Sequence, residues 1–287
     1  MPTATSNQSA SRLSRWFNPS SRRPATAASF RYFPKAIRAA EDRTSKLSDA
    51  QLLAQATELR ERAAESNADS LVVEYGAIVS EAIYRANGFR LYDVQLTAVA
   101  AGAAGNMVEM QTGEGKTVVT GAIAAINSLH SPSVHVATTN AYLAARDLES
   151  NESAFERLGI SHGILPEEND EEASRDVYSR QIVYGPGYQY GFDYLFDQMN
   201  LRKNRQSKPG VATMNRIRGI DPNDKLIQPA HLHCALIDES DSVMIDEAMT
   251  PLIISLPAKD HEDPTPYMIA KKTVSYTHLT LPTILLV

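Results

Sequence analysis

The sequence predicts an α/β protein in which helices flank a parallel sheet, with a helical segment ahead of the sheet. Three observations carry this prediction. Short β-rich runs alternate with helical runs, a glycine-rich loop precedes one of the helices, and a later apolar run ends in two adjacent acids. Alternation of this kind is typical of parallel strands joined by crossover helices.

The composition is that of a folded domain. Of the 287 residues, 43% are hydrophobic and 22% are charged, which argues against a disordered, collagen-like or coiled-coil chain. The net charge of -6 does not favour a basic nucleic-acid-binding surface. The single cysteine, Cys234, excludes an internal disulfide and a cysteine-rich zinc site, as expected for a reducing cytosol.

The most apolar stretch, residues 96–108, is too short for a membrane span, and the N-terminus lacks the apolar core of a signal peptide.

The first 46 residues are strongly basic. They hold seven arginines and two lysines against two acids. We expect residues 1–30 to form a disordered basic arm with two apolar anchors, Trp16 and Phe17, and order to begin near Phe33. Such an arm suits contact with anionic lipid headgroups, although a merely solvated tail would have the same composition.

Two helices are predicted after this arm. Ser48 and Gln51 have the spacing of a capping box, and apolar residues then recur at helical spacing from Leu52. A second helix is predicted over residues 71–86, ending at Asn87-Gly88.

Strands and helices alternate after residue 88. The predicted strands are residues 107–110, 134–138, 181–184 and 235–237, and the predicted helices are residues 117–128, 141–158 and 190–199. Residues 201–230 are polar and are predicted to form an exposed insertion.

The glycine-rich loop has the pattern of a phosphate-binding loop. It runs Thr112-Gly113-Glu114-Gly115-Lys116-Thr117, directly ahead of a predicted helix. The glycines let backbone N–H groups point at phosphate oxygens, and the helix N-terminus favours the same anion. Lys116 would supply charge for the β- and γ-phosphates, and Thr117 a hydroxyl for Mg²⁺. Met110 stands where the strict pattern has glycine, so the helicase-type variant fits better. An ordinary glycine-rich turn is the alternative.

The second candidate is the acidic pair Asp238-Glu239. An apolar run leads directly into it, so both carboxylates are expected at the carboxyl edge of the sheet, where open α/β sheets bind ligands. Asp238 would hold Mg²⁺ through water, and Glu239 would orient and activate the attacking water. Asp241 is a further candidate for this cluster, and a solvated strand end is the alternative.

Three further sets of residues are weaker candidates for functional roles. The Gln95 amide can donate and accept, so it can read the N6 and N7 edge of adenine. Arg146 is a candidate for coupling to a second lobe or for an ordinary ion pair on a helix surface. His231, His233 and Cys234 have a metal-like spacing but lack further Cys or His nearby, and are predicted to be ordinary strand residues.

Longer stretches resemble one family. They are Tyr92-Asp93-Val94-Gln95-Leu96, the glycine loop, Tyr142-Leu143-Ala144 with Arg146-Asp147, Tyr190-Gly191-Phe192-Asp193-Tyr194-Leu195, Ile245-Asp246-Glu247-Ala248 and Thr250-Pro251-Leu252-Ile253-Ile254-Ser255. On these residues the chain resembles the N-terminal part of SecA, the motor ATPase of bacterial preprotein translocation, over about residues 33–255. The stretches around Gly191 and from residue 245 onward are far more specific than a generic ATPase motif.

The resemblance implies a RecA-like domain of the P-loop, helicase type, in a motor that binds ATP and Mg²⁺ between two lobes. It would push unfolded preproteins through the SecYEG channel. Gln95 would correspond to the adenine-reading glutamine, residues 112–117 to the phosphate loop, and Asp238 and Glu239 to the Mg²⁺-holding and water-activating acids. The resemblance further implies contact with an anionic phospholipid surface, a SecA homodimer, no specific nucleic-acid partner, and a cytoplasmic location at the inner face of the cell membrane.

The chain also departs from this family. Phe196 and Met249 stand where the family usually has arginine, and Pro186-Gly187-Tyr188-Gln189 replaces a Thr-Asn-x-Glu stretch. The ATP site is expected to survive, and the departures bear on coupling to other parts of the motor. Residues 31–273 are expected to be the first nucleotide-binding domain, as a fragment of a divergent copy that is inactive alone. Residues 274–287 read like a translated sequencing adapter and are expected to be a non-native tail.

Two other functions stay open. A related RNA or DNA helicase would share the phosphate loop and the acidic strand end, and a non-catalytic interaction module would need only the fold. The segment Asn140-Ala141-Tyr142-Leu143-Ala144 favours SecA, because helicases usually show Pro-Thr-Arg-Glu-Leu there.

Overall fold

The computed structural model describes residues 27–65, 71–167, 170–205, 214, 226–229, 232–254 and 268–273. The chain divides into two units, Met1–Leu252 and Ile253–Val287. The first unit holds the sheet and the helices named below. In the second, the described residues are 253, 254 and the helical residues 268–273.

A four-stranded parallel sheet forms the centre of the first unit. Its strands are β1 (Val134–Thr138), β2 (His162–Ile164), β3 (Ile182–Pro186) and β4 (Cys234–Ile237), in the order β2-β3-β1-β4. Val134 of β1 pairs with Ile182 of β3 on one side and with Cys234 of β4 on the other. Because all pairs are parallel, the carboxyl ends of the strands meet at one edge.

Helices precede the sheet and cover it. They are α1 (Tyr32–Thr44), α2 (Asp49–Glu65), α3 (Val72–Asn87), α4 (Asp93–Ala103), α5 (Lys116–Asn127), α6 (Ala141–Leu158), α7 (Glu171–Tyr178) and α8 (Gly187–Arg205). A 3-10 turn, Ala27–Phe30, comes before α1, and Phe30 is buried. Residues 27–30 are therefore already folded, although the predicted domain boundary is at residue 31.

The central strands are buried on both faces. Residues 182–186 of β3 are all buried, and so are Val134 and Val136 of β1. Such near-continuous apolar runs are typical of parallel strands that helices cover on both sides. β4 alternates between half-buried and exposed residues instead, because it pairs with β1 on only one side among the described residues. The predicted α/β fold with a parallel sheet is confirmed.

The N-terminal helices share one hydrophobic core with the sheet. Phe33 and Ile37 of α1, Tyr75 of α3 and Val134 of β1 belong to the same buried cluster. Ion pairs reinforce the junction, since Arg85 of α3 binds Asp49 of α2 at 2.7 Å. The helical segment is thus part of the domain that carries the sheet. None of the described helices combines the length and the apolar character that crossing a membrane requires.

Several predicted elements are confirmed. The capping box closes as expected, with the Ser48 N–H donating to Gln51 Oε1 at 2.8 Å and the Gln51 N–H donating to Ser48 Oγ at 3.3 Å. Helix α3 ends at Gly88, whose φ of 77° is the left-handed conformation that glycine accommodates. The strand at 134–138 and the helix at 141–158 have the predicted bounds.

The predicted strand at residues 107–110 is wrong. These residues form no strand, and Met107 is 89% exposed. Strand-like alternation is not sufficient, because a strand also needs a hydrogen-bonded neighbour, and none is described for this segment. Conversely, the sequence reading missed α4, which is rich in Ala and Gly, together with the short elements β2 and α7.

The predicted exposed insertion at 201–230 also needs correction at both ends. Residues 201–205 continue α8, and Ile227 and Gln228 are buried. The reason is Asp197 of α8, whose two carboxylate oxygens accept the N–H groups of Ile227 at 2.7 Å and Gln228 at 2.9 Å. Most of the segment between, the basic arm at 1–26 with Trp16 and Phe17, and the tail at 274–287 lie outside the described residues.

Candidate nucleotide-binding site

The candidate site lies at the carboxyl edge of the sheet. β4 ends at Ile237, and the next residue, Asp238, donates its N–H to the carbonyl of Ala137 in β1 at 2.9 Å. The acidic pair therefore follows a strand that neighbours β1, at the edge where parallel sheets bind ligands. The prediction that Asp238 and Glu239 follow a strand is confirmed.

The phosphate loop adopts the backbone that its glycines permit. Gly113 has φ 86° and Gly115 has φ 81°, both in the left-handed region. A Cβ on Gly113 would meet no atom within 4 Å, so the loop is open on that side. Helix α5 begins at Lys116, and its first N–H groups have no partner within the helix. This arrangement can receive an anion at the helix N-terminus.

Gln95 braces this loop. It is 6% exposed, and its Nε2 donates to the carbonyl of Glu114 at 2.8 Å while its Oε1 accepts the N–H of Tyr92 at 2.8 Å. A Cβ on Gly115 would lie 2.7 Å from the same Nε2. Gln95 and the glycine loop, which the sequence predicted as separate parts of the site, are therefore in direct contact. The sequence did not predict this contact.

Thr117 is held by helix α6. Its Oγ1 donates to Asp147 Oδ1 at 3.1 Å, and its carbonyl accepts the Nδ2 of Asn151 at 3.2 Å. Asp147 is 4% exposed. Sequence reasoning missed both α6 residues, although a signal existed. With Ala144, Ala154 and Leu158 they share one face of α6, and polar residues in an otherwise apolar stripe call for a partner.

Arg146 forms the ion pair that was one of its two predicted readings. Its Nε and Nη2 donate to Asp147 Oδ1 at 2.9 Å and 2.7 Å, and its side chain is about half exposed. This contact raises the pKa of the Arg146 guanidinium. Arg146 therefore adds positive charge beside the buried carboxylate of Asp147.

Asp238 is an acid in acidic surroundings. Burial raises its pKa above the usual value, and the charges of Asp147 and Glu239 raise it further. A hydrogen bond from the Glu239 N–H, at 3.0 Å, and the charge of Lys116 act in the opposite direction. A cation bound near Asp238 would relieve this repulsion.

Glu239 has an unusual backbone conformation. Its φ is 54°, the only positive φ outside glycine among the described residues. A non-glycine residue in this region is strained, and such strain concentrates at functional sites. The side chain is exposed, as a residue that acts on a bound ligand would be. Asp241 is also exposed and lies at the start of the π-helical turn Ser242–Asp246.

The histidines near β4 have other contacts. His233 Nδ1 lies 3.2 Å from Ser133 Oγ, and Cys234 pairs with Val134 in the sheet. His231 lies outside the described residues. Within the described parts of the chain, no group of three or more His, Cys, Asp or Glu side chains is arranged around a metal position.

The residues present fit a nucleotide with Mg²⁺. The candidate metal ligands at this edge of the sheet are the hydroxyl of Thr117 and the carboxylate of Asp238. Mg²⁺ prefers oxygen ligands of this kind and is commonly bound by one or two protein groups plus phosphates. Tyr184 adds a fully buried hydroxyl with no hydrogen-bond partner among the described residues. Its pKa is raised by burial and by the charges of Asp147 and Asp238, which places it in the same polar cluster.

The two most specific stretches of the sequence pack against each other. A Cβ on Gly191 would collide with the Leu252 side chain, so glycine lets Leu252 lie against α8. The two positions where the resemblance would have arginine differ in environment. Phe196 packs in a small cluster with Leu165, Tyr178 and Val183, whereas Met249 is 89% exposed.

The class of protein follows from a parallel sheet, a phosphate loop ahead of a helix, and an acidic pair directly after β4. The protein is a RecA-like α/β domain of the phosphate-loop type. The sequence model of the SecA DEAD-like domain family matches residues 13–280, which is nearly the whole chain. The chain therefore belongs to the SecA DEAD-like domain family, the ATPase domain of the SecA motor. The match includes residues 274–280 of the segment expected to be a non-native tail, and the nature of that tail stays a prediction.

Proposed function

We propose that the chain binds ATP with Mg²⁺ at the carboxyl edge of the sheet and forms the ATP-hydrolysing site of a preprotein translocation motor. The observation that carries this proposal is the convergence on one edge of an open phosphate loop, Lys116, Asp238 and a strained Glu239. Family membership supports the ATPase reading.

Each residue has a role in this proposal. The N–H groups of residues 112–117 receive phosphate oxygens, and Lys116 adds charge at the β- and γ-phosphates. Thr117 and Asp238 would hold Mg²⁺, Asp238 through water, and the bound ion would supply positive charge to neutralise the phosphates. Glu239 accepts a proton from the attacking water. Gln95 contacts adenine while its second amide hydrogen stays on the carbonyl of Glu114.

Motor function in preprotein transport is favoured over a nucleic-acid helicase. The family match supports it, and so does the segment Asn140-Ala141-Tyr142-Leu143-Ala144 after β1, because helicases usually have Pro-Thr-Arg-Glu-Leu there. The partners in this proposal are SecYEG, unfolded preproteins, an anionic phospholipid surface and a second SecA chain. The location is the cytoplasm, at the inner face of the cell membrane.

Stimulation of ATP hydrolysis distinguishes these functions. A version that carries the complete motor should hydrolyse ATP faster when SecYEG vesicles and an unfolded preprotein are added, and should not respond to RNA. The Glu239→Gln variant of that motor is the control for the background rate. Stimulation by RNA, with no response to the channel and preprotein, would favour the helicase reading and overturn the transport proposal.

A further inference from the structure

The apolar face of α6 contains two buried polar side chains. Asp147 is 4% exposed and Asn151 is 1% exposed, one helical turn apart. Acidic residues are almost never fully buried unless they have a partner. Glu149 of the same helix is exposed, so the burial of Asp147 reflects its place on the helix face that meets α5.

Both side chains contact Thr117 at the start of α5. Asp147 Oδ1 accepts the Thr117 hydroxyl at 3.1 Å, and Asn151 Nδ2 donates to the Thr117 carbonyl at 3.2 Å. The helices lie so close that a Cβ on Gly121 would collide with the Asn151 side chain. Asn151 also donates to the Asp147 carbonyl at 2.7 Å, which fixes its orientation. Helix α6 therefore determines the position of Thr117 and the direction of its hydroxyl hydrogen.

We propose that Asp147 is a positioning residue of the Mg²⁺ site, acting through Thr117. This inference rests on the proposed function. A hydroxyl has one hydrogen to donate and two lone pairs that can accept. With the hydrogen directed at Asp147, the lone pairs of Thr117 Oγ1 are left for a cation, and donation to the carboxylate makes that oxygen a more basic ligand.

Arg146 keeps this arrangement in place. Its guanidinium donates twice to Asp147 Oδ1, the oxygen that accepts from Thr117. The carboxylate therefore cannot rotate away from Thr117 without losing charge-assisted hydrogen bonds. A role in positioning Thr117 explains why Asp147 is buried, although Asp147 neither contacts the backbone of the phosphate loop nor follows a strand.

The test is the Mg²⁺ dependence of ATP binding, measured by calorimetry on the full 287-residue chain. Asp147→Asn keeps the size of the side chain and removes its charge, and Asp147→Ala removes the acceptor. Both should raise the Mg²⁺ concentration for half-maximal binding by about tenfold or more, the usual effect of losing a residue that orients a metal ligand. ATP affinity in EDTA should change less than about twofold, and Glu149→Gln should behave as the wild type.

The outcomes separate this inference from the proposed function. If the wild type binds ATP with Mg²⁺ and Asp147→Asn has the same Mg²⁺ dependence, the positioning role is wrong while the ATP site stands. Equal losses with Mg²⁺ and in EDTA would indicate a merely structural role and would also overturn it. In a Thr117→Val background, Asp147→Asn should cause no further loss, and an added loss would contradict action through Thr117. A wild type that binds no ATP overturns both proposals.

Discussion

At the scale of single residues, the two loop glycines have the same backbone conformation but different surroundings. Gly113 and Gly115 both have a positive φ, so either substitution by alanine costs about 1–2 kcal/mol in backbone strain. Only at Gly115 would the new Cβ approach another group, the Nε2 of Gln95. The pair therefore separates the contribution of the backbone from that of the glutamine brace.

Gly115→Ala should weaken Mg²⁺-ATP binding about fivefold more than Gly113→Ala does. The added methyl displaces the Gln95 amide from the carbonyl of Glu114 and removes a hydrogen bond worth on the order of 1 kcal/mol. Calorimetric titration of both variants checks this difference. Equal losses in the two would mean that the Gln95 contact does not contribute to nucleotide binding.

Asp238→Asn should stabilise the nucleotide-free protein at neutral pH. Burial raises the folded-state pKa of Asp238 above its usual value, so the folded protein loses stability as the pH rises from the usual pKa through the raised one. Asparagine avoids that loss and still accepts the Glu239 N–H. Thermal melts should show a higher Tm for the variant at pH 7.5, with the difference shrinking at acidic pH. Asp241→Asn, at an exposed position, serves as the control, and a lower Tm for Asp238→Asn at pH 7.5 would contradict the account.

The residue pattern predicted some of this site and not the rest. Lys116, Thr117 and Asp238 carry local signals, because a glycine loop and a strand end are visible in a short stretch of sequence. Asp147 lies 30 residues after Thr117, and the contact between them depends on how α6 packs against α5. The hydrogen bond from Gln95 to the Glu114 carbonyl was not predicted either, because it depends on how residues 104–115 bring the loop back to Gln95.

At the scale of elements, α8 organises the return of the chain to the sheet. Its buried acids receive hydrogen bonds from both sides, with Asp193 accepting the hydroxyl of Tyr178 at 2.8 Å and Asp197 accepting the two N–H groups of residues 227 and 228. Gln228 in turn donates to the Tyr190 carbonyl at 2.8 Å. The polar composition of residues 201–230 gave no indication that Ile227 and Gln228 are buried.

Asp197→Ala should destabilise the protein by on the order of 3 kcal/mol, because two buried N–H groups lose a charged acceptor. Urea denaturation of the full chain measures this. Asp176→Ala is the matched control, since Asp176 forms an exposed ion pair with Arg180 and should contribute less than about 1 kcal/mol. Similar losses in the two variants would show that the return segment does not depend on Asp197.

Element prediction succeeded where a local signal marks at least one end of an element. The capping box at Ser48 and the glycine at residue 88 fixed helix ends, and the buried run at 134–138 is long enough to be unambiguous. It failed at residues 107–110, where strand formation depends on a neighbour, and at β2, which has three residues. Pairing partners and very short strands are set by the tertiary fold and are not visible in local sequence.

At the scale of the whole molecule, the chain holds one RecA-like lobe joined to N-terminal helices through a common core. The resemblance implies that a complete motor closes a second lobe, with arginines, over the γ-phosphate. Phosphoryl transfer depends on positioning and charge stabilisation around that phosphate, and an arginine finger is worth roughly 10³–10⁵ in rate. A phosphate loop that is open beside Gly113 would leave bound phosphates in contact with water, where each electrostatic interaction is weaker.

The 287-residue chain should therefore release phosphate from Mg²⁺-ATP no faster than its Glu239→Gln variant does. Steady-state phosphate release by the two purified proteins measures this. A wild-type rate well above that of the variant, near that of a complete motor, would show that one lobe is sufficient for catalysis.

The most direct test of the central claim, that the glycine loop is an ATP site, is calorimetric titration of the full chain with Mg²⁺-ATP. The wild type should bind, and Lys116→Ala should lose a charge-assisted contact of about 1.5–3 kcal/mol, which weakens affinity by roughly 10–150-fold. Lys46→Ala, at an exposed position in the turn between α1 and α2, should bind as the wild type does. Equal affinity of the wild type and Lys116→Ala, or no binding by the wild type, would contradict the account.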